Sequence, residues 1–414
     1  MKKKTFLISG GNFTNKGAQS MLLITIAELR QRFEDCNIVI VPLDSTKVYK
    51  EAKMRNVLVI ANHPDIHMAD QSWVKVSFLT LKNILRFLLR RNCIIHGLWD
   101  YRRVLDQVDS LIDISGFCLS SQFGIDYNTQ YLELLEDAQR HHVPVILMPQ
   151  SFGPFDYKER KQEMLRRIEA VLSKSKLIFA RENEGYDLLK ETFNLNNVIK
   201  STDMVLQNKS VNMKLVFCDE PTLDIPDIKT SENVAVIPNS MNLAQRGTEE
   251  VIYLYSYTIQ KLRKLGKNVY LMYHSDADRT LCKAIFEENK KINGVIFLDH
   301  AFSCYEYDVV VRKMDYLVAS RYHSIVHAYR NGVPSIILGW AVKYHELAGL
   351  FDQKEFVFDV RDKFCGEALD LGLEKMNNNH ERYTEEIQRK LVEIQGENCF
   401  DEVEKVLHTA EFKE

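Results

Sequence analysis

The sequence predicts an α/β protein that consists of two Rossmann-like domains facing a common cleft. Short runs of apolar residues alternate with segments of helical periodicity, from TFLISG to KLIFARE and again from NVAVIPN to VPSIILGW. Uninterrupted apolar strands between helices are typical of parallel sheets whose two faces are both covered. Because two such series of similar length follow one another, we expect one sheet in each half of the chain.

The domain boundaries follow from the change in composition between the two series. The first series occupies residues 1–205, and the polar stretch CDEPTLDIPDIKTSE, which contains two prolines, lies within a predicted linker, 206–232. The second series occupies residues 233–375. A charged segment of helical pattern, 376–414, follows, and we expect it to pack back across both domains.

The composition is that of a soluble protein. The chain is 45% hydrophobic and 27% charged, which is typical of globular proteins with a large core. Its net charge of −3 argues against a general nucleic-acid-binding protein, since those carry a basic excess. The eight cysteines form no C-x-x-C pair, so we expect reduced thiols rather than disulfides or a zinc site. The apolar run in MKKKTFLISGGN is too short for a signal peptide or a membrane span, and a cytoplasmic location is expected.

The first strand is followed by a loop that suits ligand binding. In doubly wound sheets, ligands bind beyond the carboxyl ends of the strands, beside helix N-termini. In ISGGNFTNKGAQSML the strand ends at Ser9 and a helix begins near Ala18, so Asn15 and Gly17 are candidate binding residues. Gly17 permits close approach of another group to the backbone. An ordinary strand-to-helix turn explains this sequence equally well.

Two further strand ends carry small and amide residues. DISGFCLSSQFG and MPQSFGPF place Gly116, Gln150 and Ser151 after predicted strands. Neutral hydrogen-bonding groups in a cleft suit the hydroxyls of a sugar. Turn chemistry alone also explains the glycines and Pro154.

The first domain ends with a candidate cation and a candidate base. Arg181 follows the strand in LIFAREN and is expected to face the cleft, although a surface ion pair with Glu182 is the commoner arrangement. Asp203 in KSTDMVL lies near the crossing between the domains, where a carboxylate can act as a base. A helix N-cap is an equally good interpretation of Asp203.

Cations gather at two strand ends of the second domain. Arg321 ends the strand in MDYLVASR, and His323 lies in the first turn of the following helix, where the helix dipole favours an anion. Lys343 follows the next strand, and His274 follows another strand, in YLMYHSD. Because arginine grips phosphate or carboxylate with two hydrogen bonds and lysine acts as a point charge, we predict a small polyanionic substrate. Scattered surface cations and a structural histidine are the alternative.

One segment of the first domain, 71–105, is both basic and amphipathic. Trp73 and Trp99 lie near its ends, and Asp100 is its single acid. Its basic residues are Lys75, Lys82, Arg86, Arg90, Arg91, Arg102 and Arg103. Apolar residues at helical spacing are Val74, Phe78, Leu81, Leu85 and Leu88. This pattern is typical of a helix that lies in an anionic membrane surface, but a core-packed helix with solvated arginines fits equally well.

Taken in order, several motifs resemble those of the polysaccharide pyruvyl transferase family. They are GNFTNKGAQSM, SGFCLSSQFG, PQSFGPF, ARENEGYDLL, STDMVL, SRYHSIVHAYRNGVPSIILGW and VKYHELA, and they span most of residues 5–350. Each motif alone is weak, but their order and spacing are specific. The resemblance implies a fold like that of the two-domain B-type glycosyltransferases. It also implies transfer of pyruvate from phosphoenolpyruvate to a sugar as a ketal or acetal.

The resemblance implies roles for the cations. Arg321 and His323 match the family's R-x-H pair at the donor site, Arg181 matches an arginine implicated in phosphoenolpyruvate binding, and Lys343 matches the lysine after the last strand. We expect the arginines and Lys343 to neutralise the donor and the departing phosphate. His323 is expected to be the general acid, because the usual imidazole pKa of about 6.5 allows proton exchange near neutral pH.

The acceptor side departs from the family pattern. Asp203 is the candidate for deprotonating the acceptor hydroxyl, but Met204 follows it where many members have proline. Ala18 stands where many members have an acidic residue. Asn15, Gly17, Gly116, Gln150 and Ser151 are the expected acceptor-binding residues.

The resemblance also implies partners. They are phosphoenolpyruvate as co-substrate, a lipid-linked oligosaccharide acceptor and the cytoplasmic face of the inner membrane, in surface or capsular polysaccharide biosynthesis. We expect no cofactor, no metal and no nucleic acid.

Two other functions fit the sequence. The motif YRNGVPSIILG is similar to the donor half of glycosyltransferases that use nucleotide sugars. Many of those enzymes carry an acidic ribose-binding residue where this chain has His327, which argues against that donor. A non-catalytic glycan-binding relative is the third possibility.

Overall fold

The computed structural model describes residues 3–42, 53–59, 104–361 and 366–409. The basic segment 71–105 lies almost wholly outside the described residues, so its contact with a membrane surface stays a prediction. None of the described helices combines the length and the apolar composition that a membrane span requires.

The N-terminal domain is built on a parallel sheet. Its described strands are β1 (Thr5–Gly11), β2 (Asn37–Pro42), β3 (Val57–Val59), β4 (Ser110–Asp113), β5 (Val145–Gln150), β6 (Leu177–Ala180) and β7 (Val198–Lys200). They lie in the order β3-β2-β1-β4-β5-β6-β7, with Leu7 opposite both Val39 and Leu111. Strands β4, β5 and β6 are buried along their whole length, which explains their uninterrupted apolar sequence.

Helices cover both faces of this sheet. They are α1 (Lys16–Arg32), α2 (Ile125–Arg140), α3 (Lys161–Leu172) and α4 (Asn183–Phe193), followed by the short helices α5 (Met204–Gln207) and α6 (Met213–Val216). Helix α1 is buried along most of its length, because it packs on the sheet on one side and on the C-terminal domain on the other.

The C-terminal domain repeats the same plan. Its strands are β8 (Asn233–Ile237), β9 (Asn268–Leu271), β10 (Val295–Phe297), β11 (Tyr316–Ala319), β12 (Ser335–Gly339) and β13 (Val357–Asp359), in the order β10-β9-β8-β11-β12-β13. Its helices are α7 (Leu243–Arg246), α8 (Thr248–Lys264), α9 (Arg279–Asn289), α10 (Cys304–Val311), α11 (Tyr322–Arg330) and α12 (Val342–Leu350). The two parallel sheets confirm the predicted α/β fold of two Rossmann-like domains.

Strand order fixes where a ligand can bind. In each sheet the order reverses beside the first strand of the domain, between β1 and β4 and between β8 and β11. A crevice opens at such a switch point, at the carboxyl ends of the strands. The loops after these strands are therefore the ones that build a site.

The C-terminal helices join the two domains. Helix α13 (Gly366–Ile394) buries Leu373 and Met376 against the C-terminal sheet. Helix α14 (Cys399–Thr409) packs against α1, and its Phe400 is 1% exposed. The backbone N–H of Cys399 donates to Oε1 of Gln207 at 2.8 Å. Helix α14 is thus packed into the core of the N-terminal domain.

Two further contacts hold the domains together. The loop before α1 pairs with the loop after β9, where Asn15 bridges Ser275 and the N–H of Asp276 donates to the carbonyl of Thr14 at 3.1 Å. On the other side, the carboxylate of Glu346 in α12 accepts hydrogen bonds from the backbone N–H groups of Asn183 and Glu184 at 2.6 and 2.9 Å. A side chain of one domain thereby caps helix α4 of the other.

We predict that Phe400→Ala lowers the free energy of unfolding by about 3–5 kcal/mol, because it removes a buried ring and leaves a cavity beneath α1. Urea denaturation measures this change. Val392→Ala on α13, where the side chain is 74% exposed, is the control and should change stability by less than about 0.5 kcal/mol. Equal stability of the Phe400→Ala variant and the wild type would show that α14 does not stabilise the N-terminal domain.

Candidate active site

The switch points of the two sheets face one cleft of about 920 Å³ between the domains. It brings together eight candidate residues that the sequence singled out: Asn15, Gly116, Ser151, Arg181, His274, Arg321, His323 and Lys343. Among them, His274 is 1% exposed. Gly17, Gln150 and Asp203 are not part of its lining.

Arg181, at the end of β6, is held by two carboxylates. Its Nη1 donates to Asp203 Oδ2 at 2.9 Å, and its Nε donates to Glu182 Oε1 at 3.0 Å. Ser151 Oγ accepts from Arg181 Nη2 at 2.9 Å and donates to Glu182 Oε1 at 2.8 Å. The guanidinium also lies 4.2 Å from the ring centre of Tyr322. Because its side chain is 1% exposed, these contacts fix Arg181 in one position.

Asp203 lies behind the cleft surface. Its Oδ1 accepts the N–H of Val205 at 2.9 Å and so caps α5, as one interpretation of the sequence expected. Its Oδ2 binds Arg181 and lies 3.6 Å from Nε2 of His323. At 2% exposure the carboxylate faces these protein groups rather than a ligand in the cleft.

His323 lies in the first turn of α11, against helix α1. A Cβ at Gly17 would lie 2.2 Å from Cγ of His323, so only glycine fits there. In the described part of the chain, Nε2 has no hydrogen-bond partner. Burial lowers the pKa of the imidazole well below its usual value, and the positive charges of Arg181 and Lys343 lower this pKa further. His323 is therefore neutral at neutral pH when the cleft holds no anion.

Arg321 is the N-cap residue of α11 and makes a two-pronged ion pair. Its Nε and Nη2 donate to the two carboxylate oxygens of Asp278 at 2.7 and 2.6 Å. Asp278 is fully buried and also accepts the N–H of Ser240 at 2.9 Å. The sequence analysis missed Asp278, although its position shortly after β9, another strand of the same sheet, is a signal for a partner of Arg321.

Lys343 differs from the two arginines because aromatic rings surround it. Its ammonium lies 4.2 Å from the ring centre of Phe117, 5.6 Å from that of Tyr322 and 5.9 Å from that of Tyr344. Among the described residues, no carboxylate lies within ion-pair distance of it. Burial lowers the pKa of Lys343 to about 8, and the positive charge of Arg181 contributes to this lowering.

The predicted acceptor residues fall into different environments. Asn15 caps α1, because its Oδ1 accepts the N–H groups of Gly17 and Ala18 at 3.0 and 3.4 Å. Gly116 lines the cleft with a φ of +72°, and a Cβ there would lie 3.1 Å from Cε of Met21. Gln150 is fully buried and does not reach the cleft.

Gln150 belongs to a network beneath the cleft. Its Nε2 donates to Oδ2 of the buried Asp113 at 3.3 Å, and Tyr131 donates to the same oxygen at 2.8 Å. Asp113 also accepts from the hydroxyls of Ser9 and Ser115, at 2.8 and 2.6 Å. This network fixes the ends of β1, β4 and β5, from which the cleft loops start.

Two more histidines lie behind His323. The ring of His274 is parallel to that of His323, with 6.5 Å between the ring centres, and neither of its nitrogens has a hydrogen-bond partner among the residues described. His327 is fully buried and binds Asp308 through Nδ1 at 2.6 Å and Ser20 through Nε2 at 3.2 Å. In the described ranges, no group of His, Cys, Asp or Glu side chains is arranged to hold a metal ion.

Comparison with protein families gives one match. The family model described as polysaccharide pyruvyl transferase matches residues 15–341, which include every candidate residue of the cleft except Lys343. A search of curated protein sequences gave no significant match.

Solved structures resemble the whole chain. The UDP-GlcNAc 2-epimerase from Neisseria meningitidis bound to UDP-GlcNAc has a TM-score of 0.58 at 11% identity, covering 98% of this chain and 100% of that chain. HepE from Anabaena in complex with UDP and glucose has a TM-score of 0.55 at 12% identity, covering 99% and 100%. At these identities the likeness shows the fold alone. It confirms the predicted fold, that of the B-type glycosyltransferases.

We predict that His323 is neutral at pH values well below about 6.5, and that Lys343→Met moves its pKa upward by removing a nearby positive charge. NMR titration of the histidine ring protons, with His323→Asn to assign the signal, measures both pKa values. Lys174→Met, which removes an exposed lysine outside the cleft lining, is the control and should leave the pKa unchanged. Titration of wild-type His323 near its usual pKa would contradict the buried, cationic environment.

Proposed function

The chain belongs to the polysaccharide pyruvyl transferase family, and on that premise we propose that it transfers pyruvate from phosphoenolpyruvate to a sugar as a cyclic ketal. The acceptor that we propose is a lipid-linked glycan precursor of a surface or capsular polysaccharide. The enzyme would meet it at the cytoplasmic face of the membrane and would need neither a metal nor a cofactor.

The observation that carries the donor assignment is the ammonium group of Lys343. Arg181 and Arg321 each have carboxylate partners, whereas no carboxylate pairs with Lys343 in the part of the chain that the structure describes. A positive charge in a half-buried site is costly unless an anion joins it. Phosphoenolpyruvate carries a phosphate and a carboxylate, so it can pair with Lys343 and with the guanidinium of Arg321, whose Nη1 does not take part in the ion pair with Asp278.

Binding of the donor would also change the charge of His323. The usual pKa of imidazole would allow His323 to act as an acid, but burial and the nearby cations keep it neutral in the free site. Anions beside an imidazole raise its pKa. Bound phosphoenolpyruvate therefore favours the imidazolium that protonates the methylene carbon.

One histidine is then sufficient to balance the protons of the proposed reaction. The proton from His323 goes to the methylene carbon, and C2 becomes electrophilic. One sugar hydroxyl adds to C2 and its proton returns to His323. The bond from C2 to the phosphate oxygen breaks, the second hydroxyl closes the ring, and its proton leaves on hydrogen phosphate.

We assign Asp203 a different role from the one that the sequence suggested. Its carboxylate is buried behind His323 and bound to Arg181, so an acceptor hydroxyl does not reach it. At 3.6 Å from Nε2 it is placed to stabilise the imidazolium form of His323. Asp203 is therefore proposed as a positioning residue rather than as the base for the acceptor.

The alternative donor is a nucleotide sugar: the epimerase from Neisseria meningitidis is bound to UDP-GlcNAc, and HepE from Anabaena is in complex with UDP and glucose. Their low identity supports only the shared fold. In this chain His327 stands where many such enzymes place a ribose-binding acid, and it is fully buried and bound to Asp308. This arrangement favours phosphoenolpyruvate.

We predict that phosphoenolpyruvate raises the unfolding temperature of the protein and that UDP-hexoses do not. A ligand at one hundred times its Kd adds about 2.7 kcal/mol to stability, which gives a clear shift.

Lys343→Met should weaken phosphoenolpyruvate binding about tenfold or more, since a hydrogen bond to a charged group contributes about 1.5–3 kcal/mol. Lys174→Met is the matched control. His323→Asn should bind the donor but not release phosphate, and stabilisation by a UDP-hexose alone would reject the proposal.

We predict that phosphoenolpyruvate affinity falls as the pH rises through about 8. The pKa of Lys343 is lowered to about 8, so its ammonium is charged below that pH and neutral above it. Lys343→Arg should abolish this fall, because a guanidinium stays charged throughout this range. Calorimetric titration of both proteins between about pH 7 and about pH 9 measures the difference. The same pH dependence in both proteins would exclude Lys343 as its cause.

A further inference from the structure

We infer, on the basis of the pyruvyl transfer proposed above, that the mouth of the cleft carries an aromatic platform for the acceptor. The platform consists of Phe117, Phe123 and Tyr127, and its ligand is a pyranose ring that stacks through a face of C–H bonds. Phe117 and Phe123 lie within the motif SGFCLSSQFG, but the resemblance assigned no role to them or to Tyr127.

The three rings form a continuous row. The ring centres of Phe117 and Phe123 are 4.9 Å apart at 72°, and those of Phe123 and Tyr127 are 5.5 Å apart at 51°. Phe123 is 38% exposed and Tyr127 is 41% exposed, although both are large apolar side chains. Phe117 and Phe123 line the cleft. An exposed aromatic row at the mouth of a cleft is a typical recognition surface.

The opposite wall of the mouth is apolar too. Met241 and Val342 of the C-terminal domain are 48% and 51% exposed and line the same cleft. The amides of Gln122 and Gln245 also line it. Apolar surfaces with neutral hydrogen-bonding groups between them match a sugar ring, which has apolar faces and a polar edge.

The loop that carries Phe123 is rigidly held. The N–H and the hydroxyl of Ser121 both donate to the carbonyl of Pro154 at 2.9 Å. Buried Asn128 donates to the carbonyls of Ser120 and Gly124 at 2.8 and 3.0 Å. A ring fixed in an exposed position by buried hydrogen bonds loses little entropy when a ligand stacks on it.

The platform is continuous with the donor cations. Phe117 contacts Phe123 on one side, and its ring centre lies 4.2 Å from Nζ of Lys343 on another. A sugar stacked on Phe123 would therefore lie beside Phe117, the ring that also contacts the cation that we assign to phosphoenolpyruvate.

The test is saturation-transfer NMR with methyl β-D-galactopyranoside and the corresponding glucoside and mannoside. Inorganic phosphate is present as the donor-site anion, so that no transfer consumes the probe. We expect saturation from the wild type to reach the C–H protons of one ring face of at least one glycoside. Phe123→Leu, which keeps an apolar side chain but removes the aromatic face, should weaken this binding by roughly three- to tenfold.

Phe123→Trp should retain the binding, and Tyr253→Leu is the control for an aromatic residue that is 60% exposed outside the cleft lining. Unchanged binding in Phe123→Leu would overturn the platform, and so would absence of saturation in all three glycosides. Octyl β-D-glucopyranoside that receives saturation on its alkyl chain alone would assign the surface to lipid and would overturn the platform as well.

The same variants are tested for stabilisation by phosphoenolpyruvate. If the wild type lacks that stabilisation, the proposed function fails; if only the sugar result fails, the platform alone is wrong.

Discussion

The ion pair between Arg181 and Asp203 is the interaction on which the geometry of the site depends. It joins the loop after β6 to the N-terminus of α5, and it lies against Tyr322 and His323 of the other domain. Both side chains are 1% exposed. Removing either partner would leave an unpaired buried charge, which is far more costly than losing a surface pair. The imidazole of His323, which we propose as the general acid, thus lies against an ion pair that the other domain supplies.

The pairing of buried charges also explains the electrostatics of the cleft. Arg181 and Arg321 are each neutralised by a buried carboxylate, so they supply fixed hydrogen-bond donors rather than free charge. The unbalanced charge comes from Lys343, whose ammonium lies among aromatic rings. An anion that enters the cleft meets donors that are already oriented and one charge that it can neutralise. In the proposed reaction, little reorganisation is then required when negative charge develops on the departing phosphate.

The sequence could predict the fold because periodicity and the apolar strands depend only on which faces are buried. It could also predict which loops form the cleft, since parallel strands all end at one edge. The sequence analysis placed both Gln150 and Ser151 in the cleft. Successive residues at a strand end point to opposite sides, so only one of the two faces it. Ser151 contacts Arg181, whereas Gln150 binds Asp113 in the core. The neutral state of His323 depends on burial by α1, which no local sequence pattern encodes.

Two of the proposed donor cations and two rings of the proposed acceptor platform lie on different domains, and this division constrains the proposed chemistry. Arg321 and Lys343 belong to the C-terminal domain, whereas Phe117 and Phe123 belong to the N-terminal domain. The distance between a bound anion and a bound sugar is therefore set by how the domains pack. The bridge between Asn15 and Ser275, the cap that Glu346 provides to α4, and the crossing of α14 fix that packing from three directions. The proposed attack by two hydroxyls on one carbon tolerates little error in position, and a cleft braced in this way meets that requirement.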